Sequence, residues 1–372
     1  MIPDSYLAGY AEEPGYLDYG RFGPLAESAA IEARVFNDSL ARVRHGSLGV
    51  FAEQDERLRT AVSVLTGFRP DAIVAQPNTT AGLLHTMFGL TGSVLLSPDE
   101  FPSLPIAASR AREALHTVQP VWLDTDHGHV TPGRVREQLE SNTAAVAVSL
   151  VDARTGYLCD LEGIRQVIGD RLLIVDAIQG FGVVDAPYGL ADVVVSGGQK
   201  WCRAGWGTGF LALSDRALES LTPVFSGYGG TDEVEPWGHV PPPSGLAHAY
   251  LTSNPDPIAA ARLAATLEEI AEVGVADINA AMALAVSRVI DLADEFGIPI
   301  ASSRAERERA GIVVLDPPAE QLTLLTASLH NHGVTATTRL GTVRLSIHAG
   351  TSSETIDMLR AAFVSFGSAA NY

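Results

Sequence analysis

The sequence is poor in cysteine, in positive charge and in long apolar runs, and each shortage removes a class of protein. Two cysteines in 372 residues, Cys159 and Cys202, make neither a disulfide framework nor a zinc site. Lys and Arg together number 25 against 44 Asp and Glu, a net charge of −19. Nucleic-acid binding needs a basic stripe to neutralise phosphates, so no such partner is expected. No apolar run reaches the ~18 residues of a membrane span. The N-terminus, "MIPDSYLAGYAEEPGYLDYG", has neither a basic start nor an apolar segment. Neither a secretion signal nor a membrane partner is therefore expected, and a cytoplasmic location is. His85, His127, His129 and His348 stand at no metal-ligand spacing, so no metal site is expected.

What the chain does have is apolar residues in a regular order. Hydrophobic residues make up 46% and charged residues 19%, which suits a packed globular protein long enough for two domains. Short apolar runs, "AIVAQ", "SVLLS", "TVQPVWL", "AAVAVSLV", "RLLIVDA", "ADVVVSG" and "GFLALS", alternate with segments of helical spacing. Strands buried on both faces read as continuous apolar runs, and the helices between them supply parallel crossovers. The pattern predicts an α/β fold, a doubly wound, mainly parallel sheet forming a large domain over residues 20–254. Beyond the prolines at 241–243 come two long helical stretches, "GIVVLD", a further helix, the extended pair "TATTRLG" and "TVRLSIH", and a last helix. Residues 255–372, joined by 1–19, are expected to form a smaller α+β domain.

In open α/β sheets ligands sit outside the carboxyl ends of the strands. The first polar residues after each run are therefore the candidates: Asn78 to Thr80, Glu100 and Phe101, Asp152, Asp176 and Gln179, and Ser196 to Lys200. Lysine is especially scarce here, yet Lys200 sits in the glycine-rich "SGGQKWCRAGWGTG" at a strand end. A lysine, a strand-end carboxylate, two hydroxyls opening a helix and an aromatic together suit pyridoxal phosphate. That cofactor needs an amine for its aldehyde and a carboxylate to keep its ring nitrogen protonated. Its phosphate favours a helix N-terminus, which "NTTAG" offers. A nicotinamide-binding fold is not supported, because no "GxGxxG" follows the first strand.

The chain resembles the class V aminotransferase family of fold-type-I pyridoxal-phosphate enzymes, which includes cysteine desulfurases, selenocysteine lyases and kynureninases. The resemblance runs nearly end to end, through "YLDYGRFGPL", "NTTAG", "DEFPS", "VDARTGYLCDLEGI", "VDAIQGFGVVD", "SGGQKWCRAGWGTGFLALS" and "VRLSIHAGTSSETIDML". It implies that Lys200 forms the aldimine and shuttles the proton at Cα, and that Asp176 pairs with the pyridinium. It also implies that Gln179 bonds the phenolic oxygen, that Thr79, Thr80 and Gln199 hold the phosphate, and that Phe101 stacks on the ring. Arg344 would bind the substrate α-carboxylate, a two-pronged contact that suits a guanidinium.

Three departures bear on the reaction. Asp152 stands near the cofactor oxygen where relatives carry an amide, Gln199 replaces a common histidine, and no cysteine lies in "HGVTATTRLGTVR". The missing thiol disfavours a persulfide-forming desulfurase. With Gln199 it tilts the expectation toward transamination of an amino acid, the alternative being a Cβ lyase of the C–S or kynureninase type. A binding protein that kept the fold and lost catalysis is the rival class, opposed by the intact Lys200–Asp176 pair. The resemblance further implies a homodimer with shared active sites. The loop "YLTSNPDPI", with Thr252, Ser253 and Asn254, would reach the partner's cofactor phosphate. Arg21 reads as a solvated loop residue, and Trp201 and Cys202 as packing residues.

Overall fold

The computed structural model describes residues 2–370; Met1, Asn371 and Tyr372, at the ends of the expected small domain, lie outside the described residues. Seven strands make the main sheet: β1 (Ile73–Ala75), β2 (Gly92–Leu96), β3 (Val118–Trp122), β4 (Thr143–Ser149), β5 (Leu172–Asp176), β6 (Val193–Gly197) and β7 (Gly209–Leu213). Their order is β1-β7-β6-β5-β4-β2-β3, and β7 alone runs antiparallel to both its neighbours. The apolar runs are continuous because each face of the sheet meets its own core. Val146, Val148, Leu173, Val175 and Val194 point into one hydrophobic cluster. Ala145, Ala147, Leu172, Ile174, Val193 and Val195 point into the other. The period of two is present in every strand, but both phases are apolar, so it does not show in the sequence.

Chain direction across the sheet reverses between β2 and β4, since β3 lies outside β2 while β5 and β6 follow on the far side of β4. At such a switch point successive connections diverge and leave a crevice beyond the carboxyl ends. The helix Thr79–Gly89 lies close on β6, where a Cβ at Gly82 would collide with the Val195 side chain. That close approach sets the start of the helix beside the strand that leads to Lys200.

Three further strands, β8 (Ile312–Leu315), β9 (Thr337–Arg339) and β10 (Thr342–Ser346), form an antiparallel sheet in the order β8-β10-β9. Its hairpin turns at Leu340 and Gly341, both with positive φ (53° and 84°), as a two-residue loop between twisted strands requires. The N-terminal segment joins this sheet, Asp18 bridging Ser346 and Tyr16 bridging Thr335. The helix Pro257–Val273, expected in the small domain, packs instead on the helices Glu27–Leu40 and Gly49–Thr66. Those two helices had no counterpart in the sequence pattern. The next helix, Val275–Glu295, bends away by 82° at Gly274 (φ 90°) and packs on β8. We propose Gly274, rather than Asn254, as the joint between the domains.

No single helix among the described residues is long and apolar enough to cross a membrane. The irregular stretch between Leu221 and Pro257 contains only two short 3₁₀ turns.

Candidate active site

Lys200, the only lysine in the chain, follows β6 and is 8% exposed. The N-terminal segment is laid directly over it: Gly23 N–H donates to the Gln199 carbonyl at 2.9 Å, and a Cβ at Gly23 would strike the Lys200 carbonyl oxygen. Burial lowers the Lys200 amine to about 8, opposed by the Asp176 charge and reinforced by Arg344 and Arg339. A buried ammonium is costly, so the amine is neutral far more readily than a surface lysine. Its Nζ lies 5.3 Å from the centre of the Phe101 ring, which the sequence expects to cover the cofactor.

Asp176 ends β5 and is 1% exposed. One carboxylate oxygen accepts from Ile178 N–H at 3.1 Å; the other, Oδ2, is buried without a partner. Burial raises the carboxyl to about 6, against the Ile178 hydrogen bond and the Lys200 charge. A buried carboxylate oxygen with nothing to accept from is a vacancy for a donor, and a protonated pyridine nitrogen is such a donor. The phosphate end shows the same feature. Asn78 caps the helix Thr79–Gly89, its Oδ1 accepting from Ala81 N–H at 2.9 Å. Thr79 Oγ1 and Gln199 Oε1 are both buried and unpartnered. Thr80 is exposed, and its hydroxyl meets Ser103 Oγ at 2.8 Å. The residues present therefore fit pyridoxal phosphate at both of its polar ends.

Two expected cofactor contacts have other work. The Gln179 amide donates to the Gly20 carbonyl and accepts from Trp201 Nε1–H, both at 2.9 Å, so it ties the N-terminal segment to the residue after Lys200. Asp152 Oδ1 accepts from Arg154 N–H (2.9 Å), Thr155 N–H (2.6 Å) and Thr155 Oγ1–H (2.8 Å). Three donors on one oxygen make Asp152 the organiser of the turn after β4, and they offset the carboxylate charge that an amide in its place would lack. Asn254 is exposed and lines a separate pocket of about 190 Å³ beside Gln76 and Pro77.

Arg344 lies on β10 with 11% of its side chain exposed. It donates to the Ala153 carbonyl at 3.1 Å and stands 3.6 Å from Asp18, and its Nε is buried without a partner. The guanidinium thus keeps donors in reserve at the foot of a second pocket, of about 610 Å³. Phe101, Glu100, Arg154 and Thr337 share that pocket's wall.

Glu100 is the residue whose chemistry the sequence left unassigned. It follows β2, and its Oε1 accepts from Ser149 N–H at the end of β4 at 3.1 Å, so it bridges the two strands of the switch point. Its Oε2 is buried and unpartnered. Burial lifts the carboxyl to about 7, the Ser149 hydrogen bond opposing and the Asp152 and Asp176 charges adding. "DEFPS" shows Glu100 at a strand end; its burial and its like-charged neighbours come from the fold.

The aminotransferase class-V family model matches residues 41–364. An uncharacterized aminotransferase of Bacillus subtilis is 22% identical over 304 residues, 80% of this chain and 79% of that protein. A probable cysteine desulfurase of Methanothermobacter thermautotrophicus is 28% identical over 216 residues, 55% and 54% of the two chains. The apo structure of a cysteine desulfurase from Thermococcus onnurineus superposes with a TM-score of 0.85 at 20% identity, covering 97% and 96% of the chains. A cystine C–S lyase in complex with its product, cysteine persulfide, gives 0.84 at 18% identity, covering 96% and 98%. Carried by the family match and by the fit of Lys200, Asp176 and Thr79 to the cofactor, the chain belongs to the class-V aminotransferase family and is a pyridoxal-phosphate-dependent enzyme.

Proposed function

We propose that the enzyme breaks a bond at Cβ of an amino-acid substrate and releases the leaving group to solution. The observation that carries this reading is Glu100, a buried carboxyl in the wall of the substrate pocket with one oxygen free. Raised to about 7, it is substantially protonated at neutral pH. A carboxylic acid in that state can hand its proton to a departing group, as a general acid must.

Bound pyridoxal phosphate supplies an electron sink for the pair left at Cα. Asp176 holds the proton on the ring nitrogen that makes the sink effective. Lys200, with its amine lowered to about 8, takes the Cα proton. Arg344 would orient the substrate through its α-carboxylate, Phe101 would help exclude water beside Lys200, and Thr79 and Gln199 would hold the phosphate. Gln179 positions Trp201, and through it the Lys200 backbone.

No thiol lines the pocket. Cys159 and Cys202 are buried, and burial pushes the Cys202 thiol up to about 12 and Cys159 higher still. A sulfur product of C–S cleavage would therefore leave free rather than on the protein. The names of the Methanothermobacter relative and of the structural neighbours favour the same class. Transamination is the second reading; it rests on Gln199 and on the Bacillus subtilis relative.

The active unit is proposed to be a homodimer. Val234, Trp237 and Val240 are 82–95% exposed in the irregular stretch that precedes Asn254. Apolar surface of that kind is normally covered by a partner, and a second copy would bring the Asn254 loop to the neighbouring phosphate.

The test is product analysis with a panel of β-substituted amino acids. Keto acid, ammonia and leaving group should appear together without any amino acceptor. Glu100→Gln should lower kcat about a hundredfold or more while cofactor loading stays unchanged, the range a positioned acid supplies. Turnover that requires an added keto acid and releases no leaving group would establish transamination instead.

A further inference from the structure

The 610 Å³ pocket is larger than an unsubstituted small amino acid needs, and neither Lys200 nor Asp176 nor Thr79 lines it. Phe101 is part of its lining, and its volume is in the range that accommodates ligands of considerable size. Register fixes what one of its walls presents. On β10, Arg344 pairs with Thr337 and Thr342 pairs with Arg339; across β8, Arg344 pairs with Val314. Residues two apart on a strand, and their direct partners, share a face. Arg344, Thr342, Thr337, Arg339 and Val314 therefore face the same way, and all five line this pocket.

That face carries two guanidiniums, and a third, Arg154, also lines the pocket. Their charges are not equally answered. Arg154 is paired with Asp99 at 3.0 Å. Arg344 is the deep one, reserved for the α-carboxylate and bordered by Asp18 at 3.6 Å. Arg339 is exposed at the rim, and among the described residues no carboxylate lies within 4.0 Å of it. Its charge still reaches inward, since it contributes to depressing both the Lys200 amine and the Arg344 guanidinium. Of the two acids in the lining, Asp99 is paired with Arg154, and burial raises the Glu100 carboxyl, favouring its neutral form.

We infer that the substrate's Cβ substituent carries a second acidic group, and that Arg339 selects it. The chemical class is an amino acid with a bulky β-substituent ending in a carboxylate or similar anion. Its α-carboxylate would be held at Arg344 and its distal anion at the hairpin. The direct opposite of Arg344 is Thr337, so the two guanidiniums are diagonal neighbours, roughly 7–8 Å apart at the backbone. That spacing suits two separate anions better than one shared carboxylate. The inference rests on Arg344 as the α-carboxylate anchor, but not on which bond is broken.

The probe pair is S-carboxymethyl-cysteine and its uncharged near-isostere S-carbamoylmethyl-cysteine. Each is titrated into the holoenzyme, with apparent Kd read from the change in the visible spectrum. Wild type should bind the acid about tenfold more tightly at low salt, and the preference should shrink toward unity near 1 M salt, because a rim charge is screened. Arg339→Gln should lose most of the preference by weakening the acid alone, and Arg339→Lys should restore a good part of it. Equal affinity for the two compounds in wild type would overturn the inference. So would an equal loss for both in Arg339→Gln, which would make Arg339 a second ligand of the α-carboxylate. A charge preference seen without release of the leaving group would leave the inference standing and refute the Cβ-cleavage reading.

Discussion

Asp176 should make the apoprotein less stable as pH rises from about 4 to about 6 and beyond, and replacing it should therefore stabilise the empty enzyme while crippling the loaded one. The carboxyl is 1% exposed, with Oδ2 unpartnered, and burial raises it from 3.8 to about 6. Between those values the folded chain holds a proton that the unfolded chain has lost, so stability falls as pH rises through the window. At ~1.4 kcal/mol per tenfold in proton affinity, the loss is about 3 kcal/mol once both states are ionised. Asp176→Asn stays neutral throughout, and its Oδ1 can still accept from Ile178 N–H. With an unfolding entropy of ~2.1 cal/mol/K per residue, about 3 kcal/mol corresponds to roughly 4 °C for a chain of this length. Calorimetric scans of both apoproteins from pH 4 to pH 8 should show the variant gaining about that much on wild type. Glu100, raised from 4.5 to about 7 in part by the Asp176 charge, is relieved of that charge in the variant, which adds to the variant's gain at higher pH. Adding pyridoxal phosphate should reverse the order at pH 8, because only the carboxylate pairs with the ring nitrogen. Parallel Tm curves for the two apoproteins would refute the reasoning.

Two further outcomes follow from the site. Borohydride reduction of the loaded enzyme should fix pyridoxyl phosphate on the single peptide containing Lys200, whereas Lys200→Ala should lose the covalent adduct, the visible absorbance and turnover together; an active Lys200→Ala would remove the basis of the mechanism. Dilution until the sedimentation coefficient falls to that of a monomer should cost cofactor affinity and activity together, and Asn254→Ala should weaken cofactor binding severalfold with Tm of the apoprotein unchanged. A fully active monomer would end the proposal of shared sites.

Much of this enzyme is legible in one dimension. The apolar runs that became β1 to β7, the lysine in "SGGQKW" and the aspartate in "VDAIQ" are local signals, because a strand buried on both faces and a glycine-rich strand end each need particular residues in immediate succession. The helices Glu27–Leu40 and Gly49–Thr66 carry no such signal. Polar and apolar residues are nearly balanced along them, and the helix they pack on, Pro257–Val273, lies far along the chain. The roles of Gln179 and Asp152 were likewise out of reach. Whether an amide faces a cofactor or ties Gly20 to Trp201 depends on a chain segment 159 residues distant. Glu100 makes the contrast sharpest. Its identity and its place after a strand are written in "DEFPS", but its chemistry is decided by desolvation and by Asp152 and Asp176 nearby. Covalent order sets which side chains stand at strand ends; only the folded chain removes the water around them, and a carboxyl's proton affinity is set by that water and by the charges that replace it.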